Sequence, residues 1–320
     1  MNPAFIITID VEADDAWRGS ADVTTENAAY LPRFQALCEK YGLRPTYLVE
    51  WAMTSSPSMR EFGQSVVADN TAEIGMHLHA WTTPPFRPLT EADHRLRPYL
   101  ADFPPDDVAE KVAAITGRLE DLFQVPIVSH RAGRWVLDEV YARVLVERGY
   151  LVDCSVTPHV SWPGAKRDYT RFPSQPYFVD LADIGRPGDS PLLEVPMTVV
   201  PTARAGWVGR ASRAVGRTSL AGRALNRLSP EVTWLRPNGR NRRDLLGLTR
   251  TAREAGWPHV EFMIHSSELM PGGSPYFRSR RSVEGLYADL EALFAYVATG
   301  FCPVTLAEFH AGISRAAPRS

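Results

Sequence analysis

Residues Ala4 to Glu12 read AFIITIDVE. The run from Ala4 to Asp10 is short, apolar, and rich in β-branched and aromatic side chains, which marks a buried strand rather than a helix. A buried strand has little reason to finish in acids, because each must be paired or solvated. Asp10 and Glu12 therefore mark a site as well as a strand end.

Working outward, the same kind of run recurs at Arg44 to Val49, Glu73 to His79, Pro126 to Ser129, Tyr150 to Cys154, Leu192 to Val199, His259 to His265 and Pro303 to Leu306. Between them, Thr25 to Tyr41, Asp106 to Phe123, Trp135 to Arg148 and Ser282 to Ala298 carry apolar residues at helical spacing. Strand and helix in alternation predict an α/β fold with seven or eight mainly parallel strands, closed as a distorted (β/α) barrel. One domain is expected over residues 1–320.

Two segments break the rhythm. Thr82 to Pro105 carries six prolines and follows the histidines of the third strand, so it reads as a long loop over a site. Pro201 to Arg250 is the second, an insertion in which eleven arginines face only Glu231 and Asp244. Within it, Ala203 to Leu228 patterns as a basic amphipathic stretch. Two readings stand for it: docking to an anionic membrane or to the phosphate of a lipid-linked substrate, or a solvated basic face.

The bulk numbers narrow the function. Of 320 residues, 44% are hydrophobic and 22% charged, as in ordinary globular proteins. A net charge of -2 supplies no field for a polyanion, so nucleic acid is not an expected partner. Cys38, Cys154 and Cys302 are odd in number and lack close spacing, which argues for a reducing compartment and against a cysteine metal site. With no signal-peptide pattern at the start, the expected location is the cytoplasm, with the inner face of the membrane open.

Chemistry-bearing residues gather at the strand ends: Asp10 and Glu12, His77 and His79, His130 and Arg131, Asp153 and Ser155, His265 and Glu268. In a parallel barrel those ends share one mouth. Asp10 and Glu12, like His77 and His79, stand at i and i+2, on one side of an extended chain. Two imidazoles and a carboxylate make an open ligand set that suits Zn2+, and equally Co2+, Ni2+ or Mn2+.

The ordered stretches TIDVE, EIGMHLHAW, HRAGRW, VDCS and EFMIHS, spread from Phe5 to about Leu306, resemble the five motifs of the polysaccharide deacetylases, the NodB-homology enzymes of carbohydrate esterase family 4. The resemblance implies a metal-dependent carbohydrate N-deacetylase holding one divalent ion, with Zn2+ expected. It casts Asp10 as general base and Glu12 as metal ligand, with an exchange of those roles open. His77 matches the first histidine ligand. The second stands four residues on in the family, where this chain has Trp81, so His79 is the local substitute, with His130, His94 or water as alternatives. Arg131 matches the arginine that orients the base, Asp153 the acid that tunes the catalytic histidine, and His265 the general acid. Trp135 and Trp81 are assigned to substrate contact.

The substrate implied is an N-acylated sugar, lipid-linked or nucleotide-linked, in cell-surface polysaccharide biosynthesis. A deformylase or amidase of a small amide, and a degenerate carbohydrate-binding protein, are the alternatives. Oligomeric state is left open.

Overall fold

The computed structural model describes residues 2–14, 23–162, 164, 167–202 and 232–316. In chain order the main strands are β1 (Ala4–Val11), β2 (Thr46–Val49), β3 (Glu73–Leu78), β4 (Ser129–Ala132), β5 (Val152–Asp153), β6 (Tyr177–Asp180), β7 (Asp183–Pro187), β8 (Leu193–Glu194), β9 (His259–His265) and β10 (Cys302–Pro303). The main helices are α1 (Leu31–Lys40), α2 (Pro57–Ala68), α3 (Pro105–Phe123), α4 (Glu139–Glu147), α5 (Arg242–Glu254), α6 (Arg280–Val297) and α7 (Leu306–Ala316).

The sheet runs β9-β1-β2-β3-β4-β5-β8-β6-β7, with β10 beside β1. Every pairing from β9 to β8 is parallel, as is that of β10, and antiparallel β6 and β7 extend the far edge. Irregular backbone spans the gap between β8 and β9: Glu261 N donates to Thr198 Oγ1 (2.8 Å), Leu235 N to the Thr198 carbonyl (3.0 Å) and Met263 N to the Leu235 carbonyl (3.2 Å). The fold is a distorted (β/α) barrel of mainly parallel strands.

Strand parity positions the site. In β1, Phe5, Ile7, Ile9 and Val11 pack outward with helix residues such as Leu31 and Phe34. Ala4 and Ile6 face inward, against Leu48, Val152, Cys154, Leu193, Val195 and Phe309. A period of two then carries Thr8 and Asp10 to the inner face, above this apolar floor.

Several boundaries differ from expectation. The fourth strand covers Ser129–Ala132, so His130 and Arg131 lie within it. Helix α4 starts only at Glu139, capped by Asp138, because Arg134 and Trp135 hold left-handed φ of 57° and 65°. The stretch from Leu192 to Val199 divides into β8 and a short hairpin strand, Val199–Pro201. Pro196 breaks it, having no N–H for a ladder. Leu306 opens α7 instead of ending a strand. In the basic segment, α5 buries Leu245, Leu248 and Ala252, as an ordinary packed helix does. The amphipathic stretch from Ala203 to Leu228 lies outside the described residues, as does the side chain of His94.

No helix among the described residues is long and apolar enough to cross a membrane.

Candidate active site

Arg131 organises the barrel interior. Its side chain is fully buried, and Nη1 donates to Asp10 Oδ1 (2.5 Å). Nη2 donates to Thr8 Oγ1 (2.7 Å) and to the Glu261 carboxylate, and Nε to the Cys154 carbonyl (3.1 Å). The Trp135 ring covers the guanidinium, 4.9 Å from its centroid. Burial alone would raise the Asp10 carboxyl, but the charges of Arg131, His77 and His265 outweigh it and hold Asp10 below its ordinary value. Glu261 goes the other way: burial pushes it up to about 7 against the pull of Arg131 and a Thr8 hydrogen bond.

Further along the mouth, three atoms converge. Glu12 Oε1 lies 2.8 Å from His77 Nε2 and 3.3 Å from His79 Nε2, and the two Nε2 atoms are 3.0 Å apart. Both rings have their Nδ1 engaged, His77 donating to the Arg131 carbonyl (3.0 Å) and His79 to Glu50 Oε2 (3.0 Å). In a neutral imidazole that leaves Nε2 with a lone pair. Three acceptors aimed at one point need a cation between them. Ligands about 2.0–2.1 Å from a tetrahedral ion stand about 3.3 Å from one another, close to this triangle. A carbonyl and a carboxylate behind the rings are the usual backing of metal-bound histidines. The residues therefore fit a divalent ion. Without one, a proton takes the place: burial would lower His79, but Glu12 and Glu50 raise it to about 10. Burial would raise Glu12, yet His79, His265 and the hydrogen bonds of the two rings hold it well below its usual range. Glu12 also groups with Asp10 and His265.

His265 pairs with Asp10 across β9 and β1, bringing its Nε2 to 4.0 Å from Asp10 Oδ2. Arg236 Nη2 sits 2.9 Å from His265 Nδ1 and 3.1 Å from Glu268 Oε1. Since guanidinium only donates, Nδ1 accepts there and the neutral ring carries its proton on Nε2, on the Asp10 side. Glu268 accepts from the His265 backbone N (2.9 Å). Burial would raise Glu268, and Arg236 with His265 lowers it to about 2.

These groups open into one cleft of about 390 Å3, lined by Asp10, Glu12, His77, His79 and His265 at its floor, and by Trp81, Trp135, Arg95, Arg97 and Arg134 on its walls. Trp81 stacks on His79 at 4.4 Å with 22° between planes. Gly133 permits that arrangement. A Cβ there would stand 2.1 Å from His79 Cδ2 and 2.5 Å from the Leu78 carbonyl. Gly133→Ala is expected to weaken divalent-ion affinity about 10- to 100-fold by tilting His79, at a stability cost of about 1–3 kcal/mol. Competition with a chromogenic chelator, run beside a thermal melt, checks this. Unchanged affinity would remove Gly133 from the site's support.

Of the residues expected from sequence, Asp10, Glu12, His77, His79, Trp81, Trp135 and His265 share this cleft, and Arg131 lies beneath it. Asp153 does not take its expected place behind His265. Val152 and Cys154 face the barrel interior, so parity turns Asp153 outward. There it bonds His130 Nδ1 (2.5 Å), Ser155 Oγ (2.8 Å) and Ser155 N (2.9 Å). His130 also meets Tyr141 OH through Nε2 (2.6 Å), so both its ring nitrogens are committed away from the triad. Arg236 and Glu268 are what orient His265. Glu50, Glu261 and Arg236 went unassigned from sequence. Glu50 was discoverable, being the carboxylate that follows β2 in TYLVE.

The fold so assembled is shared with solved proteins of differing activity, a polysaccharide deacetylase among them. A protein from Mycobacterium smegmatis described as a polysaccharide deacetylase superposes with a TM-score of 0.57 at 16% identity, covering 100% of this chain and 93% of that one. Puue allantoinase gives 0.54 at 13%, covering 99% and 92%. The 4-alpha-glucanotransferase of Thermococcus litoralis gives 0.56 at 13%, covering 97% of this chain and 40% of its own. By sequence, no family model and no curated protein matches the chain.

Proposed function

We propose that this chain is a metal-dependent hydrolase that removes an N-acyl group, acetyl first, from an amino sugar or a glycoconjugate precursor. The observation that carries this reading is the convergence of Glu12, His77 and His79 beside Asp10 and His265 Nε2 in one cleft. Glu12, His77 and His79 would hold the ion, Zn2+ expected, with Co2+, Ni2+ or Mn2+ as alternatives. When bound, such an ion supplies Lewis-acid polarisation and an acidified water.

The chain's own groups do the rest. Asp10, kept ionised by Arg131, accepts a proton from the attacking water. His265 Nε2 gives its proton to the departing nitrogen, which an amide requires because an unprotonated amine anion leaves poorly. Arg236, donating to Nδ1, and Glu268, accepting from the His265 backbone N–H, keep Nε2 facing the cleft. Trp81 and Trp135 offer flat walls suited to a sugar ring. A deformylase or amidase of a small or lipid-linked amide would use the same groups, and the acid released tells the two apart.

The deciding experiment incubates the metal-loaded protein with N-acetylated and N-formylated amino sugars and quantifies the free amine and carboxylate. Release that stops on chelation and returns with metal is the expected result. No release from any substrate, with carbohydrate still bound, would favour the binding-protein alternative.

Metal binding should also report on His79. Because the metal-free site holds a proton on His79 up to about pH 10, an ion must displace it. Apparent affinity is expected to rise about tenfold per pH unit between about pH 7 and 9, with one proton released per ion. Calorimetry in buffers of different ionisation enthalpy measures both; a flat profile would exclude His79 as a ligand.

A further inference from the structure

Helix α3 breaks its own apolar pattern at one position. Its inward face carries Val108, Val112, Ile115 and Leu119, and Lys111 falls among them at helical spacing, only 1% exposed. Lysine is almost never buried to this extent unless its charge is paired. Here its partners are carbonyls: Nζ donates to the oxygens of Ala80 (3.0 Å), Thr83 (2.7 Å) and Pro85 (2.8 Å). An ammonium has three N–H bonds, so these acceptors use them all. Burial first, and Arg87 after it, push Lys111 down to about 8 against the pull of Asp107 and Asp93, so at neutral pH the charged, three-donor form persists. Its Nζ also stands 5.0 Å from the Phe103 ring centroid.

Ala80, Thr83 and Pro85 belong to the turn that follows His79, where Thr82 N and Thr83 N both donate to the His79 carbonyl (3.3 and 3.1 Å). Trp81 sits inside that turn, stacked on His79 and lining the cleft. Phe103 stands at the other end of the same proline-rich segment, so one side chain of α3 meets both ends of the loop between β3 and α3. A further tie is Arg87, which pairs with Asp107 (2.6 Å) and Glu110 (2.7 Å) at the surface. Exposed pairs of that kind hold weakly. Irregular backbone has no ladder to satisfy its carbonyls, and buried ones must find donors elsewhere. A methionine would fill the Lys111 position in α3 as well; what only the ammonium supplies is three donors directed into the turn.

We infer that Lys111 is a positioning residue of the cleft: by gathering the Ala80, Thr83 and Pro85 carbonyls on one ammonium, it holds Trp81 in place as a wall against which substrate rests. Lys111 does not itself line the cleft, so it acts through the turn. That Trp81 meets a sugar rests on the hydrolase reading; that Lys111 fixes Trp81 does not.

The test follows Trp81 directly. In protein labelled with 5-fluorotryptophan and supplied with Zn2+, the fluorine resonances of Trp81, Trp162 and Trp257 are assigned with Trp81→Phe, Trp162→Phe and Trp257→Phe, then compared between the parent and Lys111→Met. The Trp81 resonance should shift or broaden while those of Trp162 and Trp257, which lie outside the cleft, hold. An unmoved Trp81 resonance overturns the inference. So does displacement of all three together, which would make Lys111 a support of the whole fold. Lys111→Gln, which keeps two amide donors, is read in the same way and serves if Lys111→Met does not fold. With a substrate that the amine-release assay identifies, Lys111→Met should raise KM about tenfold, the scale of one lost aromatic contact, with kcat changed by less than about twofold. In a Trp81→Ala background the same change should add little. An undiminished rise there would overturn the route through Trp81. A displaced Trp81 with an unchanged KM keeps the positioning role and removes Trp81 from substrate contact. A displaced Trp81 in a protein that hydrolyses none of the substrates keeps it too, while the hydrolase reading fails.

Discussion

Replacing Asp10 with asparagine is expected to lower turnover by about a thousandfold, within the range a positioned general base supplies, while leaving the metal content unchanged. Asparagine keeps the shape of the side chain and can still accept from Arg131 through its amide oxygen. What it loses is the ability to take a proton. The groups that would hold the ion, Glu12, His77 and His79, are separate from the Arg131 contact of Asp10, so a loss of activity with full metal loading isolates proton transfer from metal binding. In the parent, Arg131 holds Asp10 below its ordinary carboxylate value. The base form is therefore present throughout the neutral range, and the acid limb of kcat/KM assigned to Asp10 should lie below the ordinary carboxylate range. Turnover within tenfold of the parent would move the base elsewhere, with Glu12 the nearest carboxylate in the cleft.

How far the sequence revealed this site depended on which physical signal each residue left. Apolar runs announced β1 and the Phe262–Ile264 part of β9, strands that are buried along their whole length. Polar residues at their ends then pointed to Asp10, Glu12 and His265. The i and i+2 spacing of His77 and His79 set both rings on one face, and here strand parity was enough. Parity also held the information that Asp153 turns away, but using it required knowing that Val152 and Cys154 face the barrel interior, which is a tertiary fact. Glu261 lay hidden in mid-strand, where an acid has no local pattern and is explained only by the Arg131 opposite. Arg236 was one of eleven arginines in a segment whose composition suggested a surface role, and nothing local separates it from the others. The late start of α4 was invisible for a related reason. Apolar spacing continues through Trp135, and only the left-handed backbone at Arg134 and Trp135, pressed against His79 through Gly133, delays the helix.

Arg131→Met should be the most destabilising single change near the site, by about 3–5 kcal/mol, the cost of breaking a buried ion pair from one side. Methionine fills much of the volume, so the penalty arises from charge. Asp10 and Glu261 would remain buried with their shared cation gone, and Thr8 would lose a donor. The pH dependence has a definite sign. Glu261 is raised to about 7 in the folded chain, by burial first, with Arg131 the larger of the two opposing pulls. A carboxyl raised on folding binds more protons in the folded state, so it costs nothing below its unfolded value and costs progressively more as pH rises toward 7. Removing Arg131 raises Glu261 further and lifts Asp10 as well, which extends the loss to higher pH. Urea unfolding of parent and variant should therefore show a deficit that is larger at pH 8 than at pH 5. Adding Glu261→Gln should recover part of it at pH 8, because the second change removes a charge the first left stranded. That recovery is the informative result, since simple loss of packing predicts that the two substitutions add. A deficit below about 1 kcal/mol at both pH values, in the range of an exposed pair, would mean that Arg131 is not the cation balancing these two acids.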